Sequence, residues 1–115
     1  MTRRTRAHQG LNPPAECALR TLGENIARAR RRRRLSVRSM AERMYVSPDT
    51  VQRVEKGDPG VSIGVIASAL LVLGMERQLS EIAATERDGR GVRESEEHLP
   101  QRIHDRSSVD DDLDF

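Results

Sequence analysis

The chain has 115 residues, about one domain with length to spare, and only 2% of them are aromatic. A core must then be built from Leu, Ile, Val, Met and Ala, which excludes a sandwich or barrel rich in aromatic and β-branched strands and points to a small all-α domain. The net charge of +2 conceals an asymmetry, because residues 1–56 carry 14 basic and 5 acidic side chains whereas residues 57–115 carry 6 and 13, as expected of a polyanion-binding module followed by a segment with another partner.

Residues 1–14 are basic (Arg3, Arg4, Arg6), lack apolar periodicity and end in Asn12-Pro13-Pro14, the signature of a disordered arm. The spacing of Leu19, Leu22, Ile26 and Ala29 predicts a helix over Ala15 to Arg33. Ser36 is placed to cap a second helix, Val37 to Met44, with Val37, Met40, Ala41 and Met44 on its inner face. Ser47-Pro48 is a strong helix start, since proline at the first position gives up a donor that has no partner there. The third helix runs to about Lys56, buries Val51 and Val54, and stops at Gly57. After the Asp58-Pro59-Gly60 turn, Ser62 caps a fourth helix, Ile63 to Leu73, with Ile66, Ala69, Leu70 and Leu73 inward. A fifth is expected from Met75 to Ala84. This gives a domain over 15–84 with five short helices. From Thr85 onward the periodicity stops, and 85–115 is expected to be an acidic, mostly disordered tail with a short strand at 99–103, Leu-Pro-Gln-Arg-Ile.

Several classes of chemistry find no support in the residues. Cys17 is the only cysteine, which rules out an internal disulfide and a cysteine-based metal site and suits a core-edge position in a reducing compartment. His8, His98 and His104 fall in segments expected to be flexible, with no ligand spacing, no catalytic constellation and no glycine-rich phosphate loop. The expectation is a protein that is not an enzyme, with no metal and no cofactor. The longest apolar stretch, Val61 to Met75, has 15 residues, short of the roughly 20 needed to span a bilayer. No apolar signal segment follows the basic start, so a cytoplasmic location is expected.

The informative segment is Leu35 to Gly57, LSVRSMAERMYVSPDTVQRVEKG. It holds two short, serine-capped helices joined by a tight turn behind a basic first helix, the plan of a helix-turn-helix over 36–57 whose second helix enters the DNA major groove. The segment resembles the XRE, or Cro/cI phage-repressor, family, whose pattern is roughly L-S-x-x-x-L-A-x-x-x-G-V-S-x-x-x-I-x-x-x-E-x-G. Leu35, Ser36, Ala41, Val46, Ser47, Glu55 and Gly57 match it, Met40 and Val51 replace a leucine and an isoleucine, and Tyr45 stands where glycine is common. The resemblance covers about residues 19–84 and implies a compact five-helix, phage-repressor-like DNA-binding domain.

The segments LGENIARARRRRRLS, EKGDPGVSIGVIASALLVLG and LPQRI are similar to the HipB-like antitoxin branch, small repressors encoded beside a HipA-type Ser/Thr kinase toxin. That resemblance implies a bacterial autoregulatory repressor that neutralises such a kinase. The alternative is a stand-alone phage or mobile-element repressor with no toxin.

The resemblance also assigns roles. Pro48, Asp49 and Arg53 match the family's base-reading positions. Thr50 and Gln52 complete the candidate set, with Arg53 suited to guanine and Gln52 to adenine. Asp49 could accept from cytosine or simply stabilise the start of its own helix. Arg38, Arg43 and Lys56 are candidate phosphate contacts, joined by Ser36 and Ser47 if these do more than cap. Arg30 corresponds to an arginine that pairs with the glutamate matching Glu55. A two-fold homodimer on double-stranded DNA is expected, with its seam on Leu70, Leu73, Met75, Leu79 and Ile82 unless these only close the core. The acidic tail either binds a partner protein or shields the arginine-rich surface.

Overall fold

A computed structural model of the chain describes residues 10–98. Residues 1–9 of the arm expected over 1–14, the strand expected at 99–103 and the aspartate-rich stretch 109–115 lie outside the described residues. The chain forms two compact units, one through Leu79 and one from Ser80.

The first unit is built from α1 (Pro13–Arg32), α2 (Val37–Met44), α3 (Pro48–Glu55), α4 (Ile63–Leu73) and the start of α5 (Glu76–Ser80). Its helices are short because both ends of most are set locally. Ser36, Ser47 and Ser62 each cap a helix, their hydroxyl oxygens accepting from the backbone N–H of Ser39, Thr50 and Val65, which satisfies a donor the helix itself leaves unpaired. At the other end, α1 to α4 each close on paired backbone bonds across one left-handed residue. Arg34 and Leu35 donate to Arg31 and Arg30, Tyr45 and Val46 to Glu42 and Ala41, Gly57 and Asp58 to Val54 and Arg53, and Gly74 and Met75 to Leu71 and Leu70. This is the Schellman arrangement, and Leu35, Val46 and Met75 follow their left-handed residues and fold back onto the core.

The core is aliphatic, as the composition requires. Ile26 and Ala29 of α1, Met40, Ala41 and Met44 of α2, Val51 and Val54 of α3, and Ala69, Leu70 and Leu73 of α4 form one buried cluster. α3 lies against α1 and α2, while α4 packs on α2 and α1. The α1–α3 approach is closest at Gly23, where a Cβ would sit 2.5 Å from the Glu55 carbonyl oxygen and 2.6 Å from that of Val54. A glycine that weakens a long helix is retained there because α3 leaves no room for a side chain.

Several expectations are corrected. α1 begins at Pro13, not Ala15, because Pro13 and Pro14 occupy the first turn, where a missing N–H costs nothing. Cys17 is exposed rather than at the core edge. α5 ends at Ser80 instead of Ala84. Leu79 packs on the core of its own unit, and Ala83 turns left-handed (φ 62°), a conformation that a helix does not continue through. Leu73, placed at a dimer seam from sequence, is 3% exposed and belongs to the intramolecular core, as does Leu70. Met75 and Leu79 pack against that core as partly buried residues. Among the seam candidates only Ile82 is strongly exposed, at 67%.

The second unit also departs from expectation. Residues 85–98, read as a structureless linker and tail, contain a 3-10 turn (Thr85–Arg87) and α6 (Gly89–Glu97). Asp88 caps α6 by accepting from the Gly91 N–H, Arg90 pairs with Glu94 one turn on, and Arg87 pairs with Glu81. No residue of α6 is buried, so this helix rests on local capping and charge pairs worth a few tenths of a kcal/mol each.

Gly23→Ala tests the tight α1–α3 approach. Although alanine raises intrinsic helix propensity, the substitution should destabilise the fold by about 1–3 kcal/mol through overpacking, read as a lower urea midpoint.

Candidate nucleic-acid interface

α2 and α3 meet across a two-residue connection, Tyr45-Val46, before the Ser47 cap. The turn is possible because Tyr45 adopts a left-handed backbone (φ 59°, ψ 42°), a conformation costing an L-residue roughly 1–2 kcal/mol. Val46 packs inward, and Ala41 is small enough to bring the two helices together. The geometry is that of a helix-turn-helix, with the N-terminus of α3 presented outward.

The orientation of α3 is fixed from its C-terminal end. Arg30 Nε donates to Glu55 Oε2 at 2.7 Å and Nη2 to Oε1 at 3.1 Å, and Nη1 donates to the Leu35 carbonyl at 2.8 Å. The two side chains are 10% and 11% exposed. One guanidinium thus ties α1, the α1–α2 connection and α3 together. The hydrogen bond to Glu55 and the adjacent negative charge hold the Arg30 guanidinium above its ordinary pKa despite the opposing effect of burial. Glu55 sits where the α3 carbonyls disfavour a carboxylate, and Arg30 supplies the compensating charge.

The remaining candidates divide by where α3 points them. Pro48 and Asp49 stand exposed in its first turn. Arg53, one turn beyond Asp49, is 41% exposed and its Nε donates to Asp58 Oδ2 at 2.9 Å. Gln52 is exposed and lines a cleft with Ala27, Arg31, Glu55 and Lys56, one turn on from Asp49. Thr50 is half-buried and engaged at the cap, its N–H donating to Ser47 Oγ and its Oγ1 lying 3.1 Å from the same atom. Ser36 and Ser47 serve as caps. Arg38, Arg43 and Lys56 are exposed around the two helices. Of the arginine run, Arg33 donates to the Ala29 carbonyl and closes the last turn of α1, while Arg31, Arg32 and Arg34 are exposed.

Asp58 is the residue the sequence reading passed over, having treated it as part of a turn. Besides holding Arg53 it accepts from the Gly60 N–H through Oδ1, so the loop after α3 and the Arg53 side chain share one anchor. An aspartate just past a Schellman glycine and five residues after an arginine is the signal that could have disclosed it.

Fold and site together define a DNA-binding protein of the helix-turn-helix class. A family model described as a helix-turn-helix domain matches residues 21–82, more than half of the chain, and the chain belongs to that family. No curated protein and no solved structure matches it. Among the described residues no helix is long and apolar enough to cross a membrane.

Glu55→Ala should lower stability by about 3–5 kcal/mol, since it strands a buried guanidinium. Adding Arg30→Met should recover most of the loss in the same denaturant titration. If the double variant is no more stable than Glu55→Ala, the stranded charge is not the source of the cost.

Proposed function

We propose that this protein is a sequence-specific transcriptional repressor that reads its operator with the outer flank of α3. The observation that carries the reading is the exposed Asp49 and the half-exposed Arg53 one turn on, on a helix whose packing exposes its N-terminus and leaves Arg38, Arg43 and Lys56 free of the core around it. Arg53 is the principal base-reading side chain, oriented by Asp58, with Pro48 and Asp49 contributing shape and acceptor character. Arg38, Arg43 and Lys56 bind phosphates and set the register. Cofactors and catalysis have no part in this role. Two copies act together on half-sites one helical turn, about 34 Å, apart. Among the described residues, Ile63, Leu71 and Ile82 are exposed aliphatic side chains available to a second copy, whereas Leu73 is committed to the core.

Measured by gel shift on a duplex selected by the protein from a random pool, Arg53→Ala should cost specific binding about 1–3 kcal/mol and relax preference at one base position. Arg38→Ala should weaken specific and non-specific binding alike and reduce the salt slope by about 1. Equal loss on all sequences for both variants would remove Arg53 from the reading role.

The finer proposal, that the repressor is a bacterial antitoxin neutralising a HipA-like kinase, rests on the resemblance of the α1 and α4 segments. Co-expression with a kinase encoded beside the gene should yield a stable complex and suppress the kinase's toxicity. A chain that represses its promoter while such a kinase neither binds it nor is silenced by it would instead be a stand-alone repressor.

A further inference from the structure

Tyr45 combines two features that each work against the fold. It is a non-glycine residue in the left-handed region, at a position where the turn needs only a backbone. Its ring is also 94% exposed, the most exposed of the large apolar side chains among the described residues. The Tyr45 backbone accounts for the turn through the paired bonds from Tyr45 N–H to Glu42 and from Val46 N–H to Ala41. The side chain takes no part in either bond, so the turn itself would be served at least as well by glycine. Strain retained beside a binding surface is a pointer to function when an observed outlier motivates it. In the chain, Tyr45 falls two residues after the exposed Arg43 and two before the Ser47 cap of α3, between the residues proposed above to bind phosphates and those proposed to read bases.

We propose that Tyr45 is a DNA-backbone contact, its phenol O–H donating to a phosphate oxygen at the edge of the groove that α3 enters. The inference rests on the DNA-binding reading above and adds to it a neutral, aromatic contact that carries no base preference. A phenol suits this place because it reaches outward without adding charge, so it strengthens binding without steepening its dependence on salt.

The test uses the full chain, a fluorescein-labelled duplex of arbitrary sequence at low salt, and three proteins: wild type, Tyr45→Phe and Tyr45→Gly. Tyr45→Phe keeps the ring and the turn and should bind about tenfold more weakly, the loss expected for one hydrogen bond to a charged group. Its melting temperature and salt slope should stay unchanged. Tyr45→Gly should bind at least as weakly as Tyr45→Phe yet melt about 4–8 °C higher, because glycine relieves the left-handed strain. Wild-type affinity in Tyr45→Phe overturns the proposal while leaving the DNA-binding reading intact, and assigns the exposed ring to some other partner. Failure of the wild type itself to bind the duplex overturns the reading and the proposal together.

Discussion

A single buried guanidinium does more to position this domain than any one apolar contact. Arg30 reaches from the end of α1 to the carboxylate of Glu55 and to the carbonyl of Leu35. It therefore sets where α3 ends relative to α1 and where the chain turns toward α2. The aliphatic cluster supplies most of the driving force, but Leu, Met and Val packing is tolerant of small rotations. A bidentate, nearly dry ion pair is not, because a shift leaves charge without a partner. The direction in which α3 projects is the property on which groove binding depends, and this pair and the close approach at Gly23 hold it from one side.

The outer face of α3 is governed by weaker forces. Arg53 and Asp58 form a half-exposed pair of the kind that contributes little to stability. Its effect is to orient a long side chain, so that less rotamer freedom remains to be lost when DNA arrives. Strong, dry electrostatics thus fix the backbone, and loose, wet electrostatics pre-arrange the Arg53 side chain. The two ion pairs flank α3, so that one helix has a rigid inner face and an adaptable outer one.

Much of this was legible in the residues because helix ends are written locally. Ser36, Ser47 and Ser62 each announce a start, Gly57 and Gly74 each announce a stop, and the aliphatic spacing between them selects the buried face. The errors fall where the decisive information is either longer-range or easily misread. Pro13 and Pro14 looked like a break but serve as a helix start. Leu79, Ile82 and Ala83 kept helical spacing, but Ala83 adopts a left-handed backbone that ends the pattern. Gly89 and Gly91 looked like a linker and concealed the Asp88 cap. Gln52 and Arg53 are neighbours in sequence and equally polar, yet Gln52 lines a cleft with Ala27 and Arg31 of α1 while Arg53 pairs with Asp58.

The eight-residue length of α3 has a consequence for the lifetime of the active species. Helices shorter than about 12–15 residues are marginal in water on their own, so the DNA-facing element exists only while the whole domain is folded around it. A partly opened chain would retain no residual affinity for a groove, and duplex binding would draw the population toward the folded form. Folding and duplex binding are then linked equilibria. Duplex binding therefore adds to the stability that the free domain already has.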